Sequence, residues 1–424
     1  MGCKNIRYIL GRHEIEDFRN TDLVIKNPGV RPDSPFLQAA KRIETDISLF
    51  LNESPARLFA VTGTKGKSST AAALHWILNN ERIAGKAFLG GNITVSPLSF
   101  IDELGANDDV VLELSSFQLG DLKNRKKNDE SPLLKPAASV LTAIMPDHLD
   151  RYASMEEYID DKRNIYRGQD RNCVTIAGDD SWGKSFRSET KARPVVYTDY
   201  PLAEGQSGGW LEDGRGFARF LEFGFSEEIA EIVPEHILVE GEHQKKNLLA
   251  AALAAYSLGV NSEKIRNALT TFRGIEHRIE LFHEANNVRF YNDSAATIPE
   301  AAASCIEALC STGASLVLVT GGTDKNLDFS ALVKSAEKAK AVILLAGSGS
   351  EKLKILLGEA DISFSGPFDD LDKAVSAAVE KAASIRTAAG SAIVALSPGC
   401  ASFGMFLNEF DRGRKWKESV CRLS

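Results

Sequence analysis

The twelve residues Phe59-Ala-Val-Thr-Gly-Thr-Lys-Gly-Lys-Ser-Ser-Thr70 constrain this chain more than any other stretch. An apolar, β-rich run enters a turn carrying Gly63 and Gly66, and the turn opens into a helical stretch rich in Ala and Leu. A buried strand that feeds a helix through a glycine-rich turn is the building unit of a parallel α/β sheet. Glycines let the backbone approach phosphate oxygens, and the amides of the turn and of the helix N-terminus face the anion. Lys67 is placed for β- and γ-phosphates, the Ser68 hydroxyl suits Mg²⁺, and Thr64, Lys65 and Ser69 complete the cradle. Val61 stands where the general phosphate-loop pattern has its first glycine, so the motif is the shorter form T-G-T-x-G-K-S.

The rest of the chain continues the alternation. Further buried strands are expected at Val110–Leu114, Ser139–Ala143, Cys173–Ala177, Leu316–Thr320, Ala341–Ala346 and Ala392–Leu396. Helices are expected at Lys67–Asn80, Met155–Tyr166, His243–Leu258, Leu327–Ala339, Asp370–Ala388 and Ser402–Glu418. The Gly-richer span from Pro194 to Leu238 reads as short antiparallel strands inserted in the central domain. Soft boundaries near Asp46 and Gly274 divide the chain into residues 1–46, 47–274 and 275–424.

Composition narrows the function classes. With 424 residues, 43% hydrophobic and 25% charged, the chain can build substantial cores. A net charge of -8 argues against a nucleic-acid surface. The one dense basic run, Arg125-Lys126-Lys127, is followed by Asp129 and Glu130 and reads as a solvated loop. The six cysteines, Cys3, Cys173, Cys305, Cys310, Cys400 and Cys421, show no metal spacing and read as reduced thiols. The N-terminus lacks an apolar signal core and no apolar run is long enough to span a bilayer, so a soluble, cytoplasmic protein is expected.

Two residues after strands suit a metal. Glu113 closes an apolar strand, where open α/β sheets place their sites, and a carboxylate beside Ser68 meets the oxygen preference of Mg²⁺. His148, in Leu141-Thr-Ala-Ile-Met-Pro-Asp-His-Leu-Asp-Arg151, follows a third such strand. A lone histidine is more often structural, and its position is what favours a ligand. Lys162, on a helical stretch, reads from the sequence alone as a surface lysine.

The segments TGTKGKSS, LELSSFQL, DHLDR, GEHQKKN, EHR, NDSAAT, GGTDKNLDF and LSPGCASF occur in the order found in the Mur ligase family, which the chain resembles from about Leu23 onward. The features SSFQL, GGxDKxxDF and SPxCASF resemble the branch that adds D-glutamate to UDP-N-acetylmuramoyl-L-alanine; the D-N-P-R motif of the diaminopimelate- or lysine-adding branch is absent. The resemblance implies a three-part architecture. A Rossmann-like N-terminal piece binds UDP, a central P-loop ATPase-type parallel sheet binds ATP, and a Rossmann-like C-terminal domain binds the amino acid. It implies ATP and two Mg²⁺ ions, with Ser68, Glu113, His148 and Lys162 holding metal, and Lys162 carrying a CO₂-derived carbamate. Lys67, His148 and Lys162 become the catalytic set. The loop Gly63, Thr64, Lys65, Gly66, Lys67, Ser68 and Ser69 binds ATP together with Asn247 on adenine, Arg278 on the phosphates and Asp293 on ribose. Thr297, Lys325, Ser402 and Phe403 line the D-glutamate site, and Asn92 and Ser115 touch the acceptor. A monomer with no membrane or nucleic-acid partner is expected.

Two departures keep other readings open. Ala295 stands where the family has a lysine, and Ile298 where it has an asparagine. Of the N-terminal UDP-binding domain only the second half is recognisable, including Asp22-Leu-Val-Ile-Lys-Asn-Pro-Gly-Val30. An inactive nucleotide-binding paralogue, another Mur ligase or a folylpolyglutamate synthetase-like ligase are the alternatives.

Overall fold

The structure, a computed structural model, describes residues 8–80, 85–93, 95–128, 130–149, 151–220, 229–239, 242–385 and 391–423. Cys3, Asp129, Asp150, Gly241 and the last residues of the helix expected to reach Ala388 lie outside these. The chain forms two compact units, residues 1–235 with 245–269 and residues 236–244 with 270–424.

In the first unit, β1 (Val24–Ile25) and β2 (Ile43–Glu44) pair in parallel. The helix Asp46–Glu53 follows, started by a capping box in which the backbone amides of Ser48 and Thr45 each donate to the other's hydroxyl. The chain then lays down β3 (Arg57–Thr62), β4 (Ala87–Gly91) and β5 (Asp109–Glu113). A small ladder of β6 (Lys126–Lys127) and β7 (Ser131–Pro132) stands apart. After it come β8 (Ala138–Leu141), β9 (Val174–Gly178), β10 (Arg193–Thr198), β11 (Gly208–Glu212), β12 (Arg215–Arg219) and β13 (Ala230–Val233). They form a nine-stranded sheet in the order β13-β12-β11-β10-β9-β8-β3-β5-β4, parallel from β4 through β11.

Its central strands are buried on both faces. Phe59, Val61, Val110, Leu112, Val140 and Ile176 are all inaccessible, each side chain contributing roughly 2 kcal/mol by burial. Because β8, β3 and β5 are parallel neighbours, the residues that leave their C-terminal ends meet at one edge of the sheet.

Two expectations need correction here. The span from Pro194 is not wholly antiparallel: β10 runs parallel to β9 and β11, and only β11–β12–β13 form the antiparallel meander. The basic run is not a solvated loop. Arg125 donates to Glu44 Oε2 at 2.6 Å and to the Ile43 carbonyl at 2.8 Å, while Lys126 and Lys127 make β6.

The second unit holds β14 (Glu280–Ala285), β15 (Val288–Asn292), β16 (Ser315–Thr320), β17 (Ala341–Leu345), β18 (Phe364–Phe368) and β19 (Ala392–Leu396). The order is β14-β15-β19-β16-β17-β18, with all pairs parallel except β14–β15. Strand alternation sends Leu316, Leu318, Ile393 and Ala395 into one core, with Ala302, Ile306 and Leu309 of the helix Pro299–Cys310. Val317, Val319, Val394 and Leu396 enter the opposite core, with Ala374 and Ala378 of Leu371–Ile385 and Trp416 of Glu409–Leu423. The last helix therefore begins at Glu409 rather than at Ser402. Gly404, at φ 97°, takes a left-handed conformation that a continuous helix from Ser402 could not contain. The five described cysteines are unpaired, and no helix among the described residues is long and apolar enough to cross a membrane.

Candidate functional site

The turn after β3 is shaped by what its glycines exclude. Gly63 has φ 145°, and a Cβ there would lie 1.9 Å from Thr142 Oγ1. Gly66 has φ 87°, and a Cβ there would lie 2.3 Å from Asn247 Oδ1. Asn247 thus packs directly on the phosphate-loop turn, from the helix Glu242–Tyr256. The helix Lys67–Asn80 starts as expected, with Ser68 and Ser69 half-buried in its first turn and Lys65 exposed before it. Lys67 Nζ donates to the Thr64 carbonyl at 2.9 Å, folding the cation back over the loop.

Glu113 leaves β5 with 1% of its surface exposed. Its Oε1 accepts from Asn92 Nδ2 at 3.0 Å, and Asn92 also donates its amide to the Glu113 carbonyl at 2.8 Å. Its buried Oε2 has no hydrogen-bond partner. A buried carboxylate oxygen left unpaired is costly, and a hard cation satisfies it. Ser115 caps the helix Ser116–Asp121, accepting from the Gln118 amide and donating to Gln118 Oε1 at 3.1 Å. His148, at φ 54°, is half-exposed beside Asp147, with its ring 4.9 Å from that of Phe117.

Lys162 overturns the surface reading of its helix. It is 1% exposed, donates to the Gly63 carbonyl at 2.9 Å and lies 4.4 Å from the Tyr158 ring centroid. Burial, and next the charge of Lys67, push its ammonium down to about 7. One turn earlier, the Tyr158 hydroxyl sits 2.9 Å from Thr64 Oγ1, joining the same helix to the phosphate loop. Tyr158 was not foreseen, although its i, i+4 spacing to Lys162 could have flagged it.

Among the described residues no three His, Cys, Asp or Glu side chains converge as a metal set. The expected donors are of mixed type: the free oxygen of Glu113, the His148 imidazole, the Ser68 hydroxyl and Lys162. The first of these fits a cation on its own evidence. A cleft of about 770 Å³ is lined by Gly63, Lys67, Asn92, Ser115, His148, Tyr158 and Lys162, and also by Ile25 through Gly29.

The second unit arranges its residues differently. The loop after β16 passes Gly321 and Gly322, both at positive φ, and Thr323 bridges to Ala401. Lys325 is exposed, with Nζ 5.6 Å from the ring of the exposed Phe403, and Ser402 is buried beside it in sequence. Half-buried Thr297 belongs to the neighbouring loop, tied in where the Gly399 amide donates to the Ala296 carbonyl at 2.9 Å. Arg278 is exposed on a turn. Asp293 is not: its Oδ1 accepts from the Ile279 amide at 3.1 Å and its Oδ2 from Ser397 Oγ at 2.6 Å, and burial pushes its carboxyl up to about 6. Arg412, also not foreseen, is buried beneath these loops and donates to Ser294 and to the Cys400 carbonyl.

Residues 61–255 match the Mur ligase middle domain, and residues 277–397 match the Mur ligase glutamate ligase domain. The UDP-N-acetylmuramoylalanine–D-glutamate ligase of Treponema pallidum is 37% identical, covering 98% of this chain and 88% of that protein. The enzyme of the same name from Borreliella afzelii is 37% identical, covering 99% and 86%. Among solved structures, a MurF ligase from Thermotoga maritima in complex with ADP aligns with a TM-score of 0.53 at 17% identity, covering 96% of this chain and 98% of that one, a likeness of fold.

Proposed function

The chain belongs to the Mur ligase family, and we propose that it is an ATP-dependent ligase joining D-glutamate to UDP-N-acetylmuramoyl-L-alanine in peptidoglycan precursor synthesis. Identity of 37% to ligases of that activity, over nearly the whole chain, carries the reading. In it, residues 1–46 serve the uridine diphosphate, 47–274 the ATP and 275–424 the amino acid.

An oxygen of the alanine carboxylate attacks the γ-phosphorus of ATP, and ADP leaves. The resulting acyl phosphate is attacked by the D-glutamate amine, which loses a proton as phosphate departs from the tetrahedral carbon. Little covalent work falls to the protein, so positioning and charge dominate. The Gly63–Ser69 loop and Lys67 hold the phosphates, and Asn247, packed on Gly66, marks the adenine side. Ser68, Glu113, His148 and Lys162 would hold two Mg²⁺ ions, which offset charge on phosphate and carboxylate oxygens when bound. The low ammonium range of Lys162 supports its carbamylation: only the neutral amine nitrogen bonds to CO₂, releasing one proton and leaving an anionic oxygen. Lys325, Ser402, Phe403 and Thr297 would take D-glutamate, Asn92 and Ser115 the muramoyl-alanine part, and Arg278 the nucleotide phosphates. Asp293 already accepts one hydrogen bond at each oxygen, and a ribose hydroxyl would have to use a remaining lone pair of this buried carboxylate. The same proposal places the protein in the cytoplasm as a monomer.

The test is phosphate release with each acceptor and amino acid in turn. Release should require both UDP-N-acetylmuramoyl-L-alanine and D-glutamate. Equal turnover with a folate acceptor and L-glutamate, or none with any pair, would refute it.

A further inference from the structure

The chemistry above leaves Arg151 without a task, yet its guanidinium is engaged on both its edge and its face. Its Nη1 donates to the Gly29 carbonyl at 2.8 Å, and its Nη2 to those of Pro28 at 3.2 Å and Val30 at 3.4 Å. The guanidinium carbon lies 3.7 Å from the centroid of the Phe117 ring. The Phe117 ring in turn lies 4.9 Å from that of His148, tilted by 53°. A second tie sits beside the first. Lys26 Nζ reaches both oxygens of Asp121, at 2.5 and 2.6 Å, with side-chain exposures of only 3% and 9%. Asp121 closes the helix that Ser115 caps.

The segment held by these ties, Ile25 through Gly29, lines the same cleft as Lys67, Ser115, His148 and Lys162. Three consecutive carbonyls turned toward one cation leave the loop a single backbone course, and Pro28 restricts it further. We propose that Arg151, with the Lys26–Asp121 pair, is a positioning element: it sets the Lys26–Gly29 backbone as the acceptor-binding wall of the cleft and couples that wall to His148 through Phe117. The inference rests on the ligase reading above. It assigns no contact with substrate to Arg151; the guanidinium acts through the loop it holds. A lysine cannot replace it. An ammonium keeps the charge but has neither the planar fork that spans adjacent carbonyls nor the flat face that stacks on Phe117. The Lys26–Asp121 pair acts from the other end of the segment. Losing one partner would strand a buried charge, whereas replacing both by apolar side chains keeps the fold and removes the tie.

The experiment is steady-state kinetics on the full chain, with the wild type measured first. A wild type that shows no dependence on the UDP-linked acceptor sinks the ligase reading itself. Given a normal wild type, Arg151→Lys should raise KM for the acceptor about tenfold and leave KM for ATP within about twofold. The double variant Lys26→Met/Asp121→Leu should shift the same constant in the same direction. A merely structural role predicts a lower melting temperature with both KM values unchanged or raised together, and that result would overturn the proposal. Should Arg151→Lys fail to fold, the double variant and Phe117→Leu, which removes only the stacking platform, test the same coupling. An unchanged acceptor KM in any of the three as a folded protein defeats it.

Discussion

The cleft of the first unit and the strand-end loops of the second are built on the same principle and treat charge in opposite ways. Both lie where parallel strands end. In the first, the charged groups are drawn inside: Lys162 and Glu113 are each 1% exposed, and Glu113 keeps one oxygen unpaired. In the second, Lys325 and Phe403 face solvent, and the buried ionisable groups, Asp293 and Arg412, are used up in holding loops together. On the ligase reading proposed above, the difference follows from what each group would have to become. Lys162 would have to lose its proton to take up CO₂, and burial favours the neutral amine at a cost to stability. On the same reading Lys325 would only present a positive charge to a carboxylate, a task that calls for no burial.

Replacing the two kinds of lysine should therefore have effects of different size and kind. Lys162→Ala should lower phosphate release on the order of a thousandfold, with partial recovery on adding short carboxylic acids. Full activity of this variant in CO₂-stripped buffer would break the comparison at its strongest point. Lys67→Ala should be comparably inactive, without such recovery, because a cation rather than an oxygen ligand is lost.

Next in size is the backbone of the phosphate loop. Gly63→Ala puts a methyl 1.9 Å from Thr142 Oγ1 at a φ of 145°, so the loop must shift or strain. ATP affinity measured by calorimetry should fall about thirtyfold, about 2 kcal/mol. Normal affinity would mean that the loop closes on the nucleotide in some other conformation.

A smaller effect is expected from the exposed lysine of the second unit. Lys325→Ala should raise KM for D-glutamate about tenfold and leave ATP affinity unaltered. A thousandfold loss in turnover instead would show that Lys325 acts in the chemical step and that the contrast between the two lysines is misplaced.

The smallest concerns stability. Burial raises Asp293 from 3.8 to about 6, so the folded state resists its ionisation. Above about pH 6 both folded and unfolded chains carry the charge and the burial cost is fully felt. As pH falls from about 6 to about 4 the folded state takes up its proton first, and the cost disappears. Asp293→Asn should therefore stabilise the second unit by about 1 kcal/mol above pH 6, the gain limited by weaker hydrogen bonds from Ile279 and Ser397. Denaturant titrations at several pH values should show the advantage vanishing toward pH 4. An advantage that grows in acid would mean that burial does not disfavour the ionised carboxyl in the folded state.

Local chemistry was enough to find the strands that carry the site. Apolar runs ending in glycine located β3 and β16, the alternation of helices and strands pointed to parallel α/β sheets, and the helix after the glycine turn begins at Lys67 as its sequence places it. The positions of Glu113 and His148 after buried strands were legible because the end of a buried strand is itself a sequence signal. What stayed hidden depended on partners far along the chain. Lys162 looks by itself like any lysine on a polar helix, and in the fold it is buried with its ammonium on the carbonyl of Gly63, 99 residues away. Arg151 meets carbonyls 121 to 123 residues upstream, and Arg125 meets Glu44 across 81. Periodicity records which face of an element is apolar, because each residue contributes to it locally. Whether a charged side chain ends in water, in an ion pair or in a low-dielectric pocket is decided by groups that folding brings to it. For that reason the phosphate loop could be read from twelve consecutive residues, while the burial of the lysine behind it, and the lowered pKa that follows, were settled only by the tertiary fold.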